Sequence, residues 1–449
     1  MNFVRPVSFQ NNPGFHIHKA TLPGQRNFEI FKVSPLALRL PPGRDPQEGK
    51  NFVICGGLGD VTSRYLAPGF VRNQEIFPND KFIIVDLPDP ADPAEAAAIR
   101  EKIQSLNLPM VAEKPYLPAA AFYEAVTRAR NREIRIGNFT TKIDGVILAL
   151  PPDQHFPIAR LLTDNGFLVG VEKPLAHPDH LEAILQLAET HPNKIYPIDY
   201  MLNSDSYNFM LAENLLGQIG TLREIAGRIV EKPPYNPARR WLLQPNISGG
   251  GAGMDIHPHL IAAISALFGE LSSASVARVL AGRYQIEAMP PGPGETYLWL
   301  KLLVGGNLPV LLECGVGVAD NYEGLTFTGT EGTVEIFNGI DTEAVPPFIR
   351  HTSAEKQIIY VFPGGDPGYG HIWLNFEYLA RGADIVSGLD LATILRATAT
   401  GVKSVRNAYQ WLQDKLVVQY AVGQTPTVPK KVAGRVDPQV NALVKNLPS

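Results

Sequence analysis

The sequence predicts an α/β protein: a Rossmann-type parallel-sheet domain, followed by an α+β domain with a largely antiparallel open sheet. Three observations carry this. Short apolar runs alternate with helix-length segments from Asn51 to Val171. A glycine cluster, Gly56-Gly57-Leu58-Gly59, stops the first of those runs. From Ser272 to Phe337 extended pieces dominate, with glycine turns between them and no helix-length insert.

The elements follow in order. The first ~50 residues are irregular and proline-punctuated, with one alternating stretch, Phe28 to Val33, that suits a strand. Asn51 to Cys55 is the first apolar strand, and Asp60 to Asn73 reads as a helix. Lys81 to Asp86 is the next strand, with helices expected over Asp92–Leu106 and Ala119–Ala129. Asp144 to Leu150 is a strand closed by Pro151-Pro152. A helix over Gln154–Asp164 and a strand over Phe167–Val171 complete the alternation, which implies parallel strands with right-handed crossovers. Further on, Pro178–Thr190 and Asp205–Leu216 read as helices, Ile195–Asp199 and Thr221–Glu231 as extended. A helix follows Gly249-Gly250-Gly251 to about Phe268, and helices return at Trp373–Arg381 and Leu389–Asp414. The expected organisation is an N-terminal arm (1–49), a dinucleotide-binding Rossmann domain (50–175), an α+β substrate and oligomerisation domain (176–423) and a C-terminal tail (424–449).

Composition narrows the class. The chain has 449 residues, 45% of them hydrophobic and 19% charged, which suits two or three globular domains. A net charge of −4 leaves no basic footprint for nucleic acid. Two cysteines, Cys55 and Cys314, are too few for a disulfide framework and fit a reducing compartment, so the cytoplasm is the expectation. No apolar run reaches the roughly 18 residues of a membrane span, and no metal-ligand cluster stands out.

The glycine loop has a specific use. Gly56, Gly57 and Gly59 sit between a strand and a helix, where glycine lets a pyrophosphate approach the helix N-terminus. Thr62 stands where the third glycine of G-x-G-x-x-G is expected. The next strand ends in Asp86, 27 residues after Gly59. An acid there accepts adenosine ribose hydroxyls and repels a 2′-phosphate, which leans toward NAD. Arg64 and Arg72 keep NADP open. A second strand ends at Glu172-Lys173-Pro174, which offers an ammonium group on a rigid element, a placement suited to polarising a substrate oxygen. In the second half, Asp255 and His259 are one helical turn apart, about 40° around the helix. Histidine exchanges a proton near neutral pH, as oxidation of an alcohol requires. Pro258 complicates this: a helix starting at His257 would exclude Asp255 and make His257 the rival base.

Several motifs together resemble known families. Gly56-Gly57-Leu58-Gly59-Asp60-Val61, with Arg64, Leu66 and Pro68, resembles the G-x-x-G-D-L…R-x-L-x-P opening of glucose-6-phosphate dehydrogenases. Glu172-Lys173-Pro174 is similar to the E-K-P shared by that family and the Gfo/Idh/MocA sugar oxidoreductases. Ile198-Asp199-Tyr200-Met201-Leu202 is similar to the I-D-H-Y-L of the glucose-6-phosphate enzymes. Leu216-Gly217-Gln218-Ile219-Gly220, Gly249-Gly250-Gly251…Asp255…His259 and the helix after Ser387-Gly388-Leu389-Asp390 resemble Gfo/Idh/MocA features. The likeness runs from about Asn51 to Leu412.

The resemblance implies hydride transfer between NAD, with NADP open, and a CH–OH carbon of a sugar, cyclitol or related polyol. It implies Lys173 and His259 as catalytic residues, with Asp255 and His257 as further candidates. It implies cofactor contacts from Gly56, Gly57, Gly59, Asp60, Asp86, Pro151, His155, Glu172 and Lys173. Substrate contacts would come from Lys173, Asp199, Tyr200, Asp255 and His259, and a homo-oligomer contact from the C-terminal sheet. Arg239-Arg240-Trp241 is a further candidate for an acidic substrate group. Tyr200 and Ser204 stand where the glucose-6-phosphate enzymes carry histidine and lysine, which counts against a phosphorylated substrate. Oxidation of glucose 6-phosphate and a non-catalytic dinucleotide-binding sensor or assembly protein are the alternatives.

Overall fold

A computed structural model describes residues 15–20, 28–35, 45, 47–88, 91, 93–231, 241–268, 275–284, 294–318, 321–338, 345–364, 368–385, 388–412 and 418–420. The chain divides into two compact units. One comprises Arg39–Asp199 with Gly368–Ser387; the other comprises Met1–Leu38, Tyr200–Pro367 and Gly388–Ser449.

The first unit is built on a six-stranded sheet in the order Ile195–Ile198, Val169–Glu172, Gly145–Leu148, Asn51–Cys55, Lys81–Asp86, Tyr116–Pro118. Every pair is parallel. The chain enters in the middle at Asn51–Cys55, builds one flank, then returns to build the other. That reversal places a switch point beside the first strand, where open α/β sheets bind ligands. The strand interiors are apolar, as burial on both faces demands, and the polar residues sit at the strand ends. Helices Pro93–Ser105, within the stretch 92–106 expected to be helical, Ala119–Thr127 and Pro152–Asp164 connect them. A hairpin, Glu133–Ile136 with Phe139–Lys142, was not read from the sequence.

This unit also takes elements from beyond residue 175. The strand Ile195–Ile198 adds to the sheet edge in register with Val169–Glu172. The helix Tyr369–Ala380 returns from the far end of the chain. Its Trp373 ring lies 4.4 Å from Phe70, 4.6 Å from Phe52 and 5.2 Å from Phe82. Gly145 admits Phe376, since a Cβ there would sit 2.7 Å from its ring. Each buried aromatic contributes about 1.5–3 kcal/mol, so this helix belongs with the first unit although 170 residues separate it from the last strand. Arg381, just past it, bonds Glu377 at 2.9 Å and Asp80 at 3.1 Å and lies over the Phe77 ring.

The second unit carries an eleven-stranded, largely antiparallel sheet. Its order is Phe15–Ala20, Phe28–Pro35, Gln357–Val361, Phe348–Ser353, Gly332–Phe337, Tyr322–Gly329, Leu222–Glu231, Leu308–Val316, Tyr297–Val304, Ser275–Tyr284, Val418–Tyr420. Parallel pairs occur at Phe28–Pro35 on Gln357–Val361, Leu222–Glu231 on Leu308–Val316, and Val418–Tyr420 on Ser275–Tyr284. The first two strands read in the sequence as part of an arm; in the structure they lengthen this sheet. The expected tail, 424–449, lies outside the described residues.

Helix Ala252–Phe268 packs on the central strands, where Gly227 lets Leu260 and Leu312 close in. Pro258 sits inside it and removes one backbone donor, a cost of about 3 kcal/mol in an isolated helix. Tertiary packing offsets that cost: helix Leu391–Leu412 crosses here at Gly401, where a Cβ would lie 2.9 Å from Pro258 Cα. Among the described residues no helix is long and apolar enough to cross a membrane.

Candidate active site

In the first unit, the sequence-predicted residues line up along the carboxyl ends of adjacent strands. Asp199 follows Ile195–Ile198, and Lys173 follows Val169–Glu172, whose Glu172 pairs with Ile198. Pro151 follows Gly145–Leu148 and caps helix Pro152–Asp164. Gly56 to Gly59 follow Asn51–Cys55, and Asp86 ends the next strand.

The glycine loop is tight. Gly56 has φ +77°, and a Cβ there would lie 2.2 Å from the Ala149 carbonyl. A Cβ on Gly57 would lie 2.7 Å from Ile84 Cγ2. The loop backbone is thus held against its neighbours with no side chain in the way, which fits a pyrophosphate cradle. Asp86 braces the loop: one carboxylate oxygen accepts from Leu58 N at 2.9 Å, the other from Leu87 N at 2.8 Å. Each oxygen keeps lone-pair capacity for a ribose hydroxyl. Lys102 donates to the Leu58 carbonyl at 2.8 Å, so the N–H and the C=O of this one residue are both anchored by charged side chains. Asp60 opens the helix, 3.5 Å from Arg64 one turn on. That helix contains a π-helical turn over Thr62–Leu66, a feature frequent at functional sites. Cys55 is fully buried beneath the loop, and burial pushes its thiol up to about 12, so it is inert.

Lys173 is half-buried. The Lys173 amide donates to Glu172 Oε2 at 2.8 Å, so the buried Glu172 carboxylate folds back on the turn. His155 was expected near the cofactor. Its ring is fully buried instead, with Nδ1 2.9 Å from the Pro174 carbonyl and Nε2 2.8 Å from the Leu150 carbonyl. Both nitrogens are occupied by protein, so the ring has no edge left for a ligand. Burial holds its pKa below the ordinary histidine value.

In the second unit, helix Ala252–Phe268 starts before Asp255, which corrects the alternative in which the helix begins at His257. Asp255 and His259 therefore share a helix face, both buried. Tyr200, in the short helix Tyr200–Asn203, packs its ring 4.3 Å from that of His259 in an edge-on arrangement. His257 turns elsewhere. Its Nδ1 lies 3.7 Å from Cys314 Sγ on a central strand, and burial pushes its pKa down to about 3. A ring that stays neutral against the sheet makes a poor proton carrier near pH 7. Ser204 is a buried N-cap, accepting from Tyr207 N at 3.3 Å, so it offers nothing to a phosphate. Arg239 and Arg240 lie outside the described residues.

Sequence reasoning missed Glu295 and Tyr409. A Cβ on Gly251 would sit 2.2 Å from the Glu295 carbonyl, and one on Gly250 would sit 2.4 Å from the Tyr409 ring. Glu295 Oε1 accepts from Gly253 N at 2.8 Å and from Tyr409 OH at 2.6 Å, and Tyr409 OH accepts from Gly251 N and Met254 N at 3.1 Å. The triple glycine therefore admits two side chains that satisfy the helix N-terminus. No local sequence signal links residues 251, 295 and 409.

Comparison with known proteins agrees with this organisation. Residues 50–198 match the oxidoreductase family with an NAD-binding Rossmann fold, and residues 215–335 match the GFO/IDH/MocA C-terminal domain. Together these cover more than half of the chain. Among solved structures, the fold is similar to KijD10, a 3-ketoreductase from Actinomadura kijaniata in complex with NADP and TDP-benzene. The identity is 17%, covering 83% of this chain and 99% of that one, with a TM-score of 0.58. A levoglucosan dehydrogenase in complex with NADH and levoglucosan is also 17% identical over 81% of this chain and 98% of its own (TM-score 0.58). An aldose-aldose oxidoreductase from Caulobacter crescentus, complexed with glycerol, is 15% identical over 81% and 98%, again with a TM-score of 0.58. The chain belongs to the Gfo/Idh/MocA family of NAD(P)-binding oxidoreductases.

Proposed function

We propose that this protein is a nicotinamide-dependent dehydrogenase or reductase acting at a CH–OH carbon of a sugar, cyclitol or related polyol. The supporting observation is the order of side chains along one sheet edge: Asp199, Lys173, Pro151, the glycine loop and Asp86. The loop and Asp86 suit a dinucleotide, and Lys173 and Asp199 end neighbouring strands on the flank beyond it. A bound nicotinamide supplies the hydride acceptor or donor.

The chain's own residues take the other roles. Lys173, as an ammonium group, stabilises alkoxide character on the reacting oxygen. His259 takes the hydroxyl proton during oxidation and returns it in reduction. Asp255, one turn before it, orients the imidazole or accepts a substrate hydroxyl. Asp199 and Tyr200 hydrogen-bond the polyol. The family, and similar folds whose names include levoglucosan and an aldose, favour a sugar-like substrate. Tyr200 and the buried Ser204 disfavour a phosphorylated one.

The test is a panel of sugars, cyclitols, polyols and sugar phosphates, read at the nicotinamide absorbance with NAD and NADP. Cofactor reduction by a non-phosphorylated polyol or sugar is the expected result. Turnover of glucose 6-phosphate alone would replace this reading with the sugar-phosphate one. Tight cofactor binding without reduction by any compound would indicate a sensor.

A further inference from the structure

His155 is a buried titratable group that the proposed chemistry does not use directly. It lies in the first turn of helix Pro152–Asp164, which follows the strand next to the one that ends at Lys173. Its two nitrogens reach across that boundary: Nε2 to Leu150 on its own side, Nδ1 to Pro174, the residue after Lys173. A backbone bond from His177 N to the Pro152 carbonyl, at 3.1 Å, runs alongside. The segment that follows Lys173 is thus tied twice to the start of one helix. Glu172 holds the other side of the lysine through the Lys173 amide.

We propose that His155 is a positioning residue: its imidazole donates from Nδ1 to the Pro174 carbonyl and so fixes the turn that presents Lys173. A neutral imidazole has one N–H and faces two carbonyl acceptors here, so the tautomer decides which contact is a hydrogen bond. The Leu150 carbonyl sits on the histidine's own strand-to-helix connection, which the helix already holds. The Pro174 carbonyl belongs to the catalytic turn. Donation to Pro174 is therefore the bond that controls Lys173, and misplacing a reacting group by about 1 Å costs on the order of 10²-fold in rate. This inference rests on the assignment of Lys173 above.

Three variants separate the tethers. An asparagine amide nitrogen stands near the place of Nδ1, and a glutamine amide nitrogen near that of Nε2. His155→Leu keeps an apolar bulk and removes both. The expected kcat falls about 10–100-fold in His155→Leu, recovers largely in His155→Asn, and does not recover in His155→Gln. The NADH dissociation constant stays within about 3-fold throughout, because the ring is fully buried with both nitrogens on protein carbonyls. Unchanged kcat in His155→Leu, or NADH affinity falling in step with kcat, would overturn the proposal.

A readout other than activity keeps the test independent of Lys173 chemistry. The labelling rate of Lys173 by an amine-directed reagent, followed by mass spectrometry, is expected to change at least about 3-fold in His155→Leu; an unchanged rate contradicts the tether. If Lys173→Ala retains normal turnover, the catalytic reading fails, while the labelling comparison still judges the hold of His155 on the turn. Should His155→Leu fail to fold, the 15N spectrum of histidine-labelled wild-type protein decides. A proton on Nδ1 of His155 is expected, and a proton on Nε2 alone would refute the proposal.

Discussion

Two glycine clusters precede helices in this chain, one in each unit, and they are glycine for different reasons. At Gly56-Gly57-Leu58-Gly59, the turn itself requires glycine, through φ +77° at Gly56 and the nearby Ala149 carbonyl. The result is a loop with no side chain at three of its four positions, at a helix entry. At Gly249-Gly250-Gly251, glycine makes room for two of the protein's own side chains, Glu295 and Tyr409, which occupy the helix N-terminus. The first helix entry remains suited to an anion; the second already carries a buried carboxylate. The same residue type at the same kind of place thus leaves an open helix entry, the proposed cofactor cradle, in one unit and admits a structural cap in the other.

The largest difference expected from this contrast concerns the helix below the second cluster. His259→Asn should lower turnover about 10²–10⁴-fold with folding intact. His257→Asn, two residues away, should leave turnover near normal and lower stability by about 1–3 kcal/mol, because that ring fills space against Cys314. Steady-state kinetics with thermal melts measures both. Equal, mild losses would remove both histidines from proton transfer.

The glycines themselves give a smaller and more direct comparison. Gly57→Ala should weaken NADH binding about 10-fold, since the loop must move away from Ile84 and Ile54. Gly251→Ala should lower stability by about 1–3 kcal/mol through its collision with Glu295 and leave NADH affinity within about 2-fold. Fluorescence titration and calorimetry read the two effects. Loss of NADH affinity in Gly251→Ala would mean the second cluster also serves the cofactor.

The smallest effect is a pH dependence. Glu377, on the returning helix of the first unit, is raised well above the ordinary carboxyl range by burial and by its hydrogen bond to Asp80, which is raised too. That bond needs one proton between the two carboxyls. The stability carried by a raised carboxyl is whole below its unfolded value of 4.5 and is lost as pH rises through its folded value. Relative to wild type, Glu377→Gln, permanently neutral, should therefore gain melting temperature as pH rises above 4.5, because the variant has no proton to lose there. An identical slope in the variant would show that the proton is not shared there.

The two units also differ in how legible they were. In the first, each strand is a short apolar run stopped by glycine, proline or a charge, so Asn51–Cys55, Lys81–Asp86 and Val169–Glu172 were readable locally, along with Lys173 and Asp86 at their ends. The strand Ile195–Ile198 was readable as a strand, but its place in the first sheet was not. Nor was the place of Tyr369–Ala380, because Trp373 meets Phe52 and Phe82 only after the chain has folded back. In the second unit, Pro258 argued locally for a helix start, and the crossing at Gly401 overrode it. Phe28–Pro35 pairs with Gln357–Val361, more than 300 residues away, so its sheet could not be foreseen. His155 was legible by motif, with a cofactor contact expected; the two carbonyls that face its ring nitrogens come from residues 150 and 174, and no local pattern announces that pairing.

The most direct test of the account is pre-steady-state reduction of bound nicotinamide by the best polyol or sugar, in wild type and in Lys173→Ala. In wild type a rapid absorbance rise is expected, and in the variant it slows at least about 10²-fold at saturating cofactor. A variant that reduces the cofactor at the wild-type rate would contradict the account.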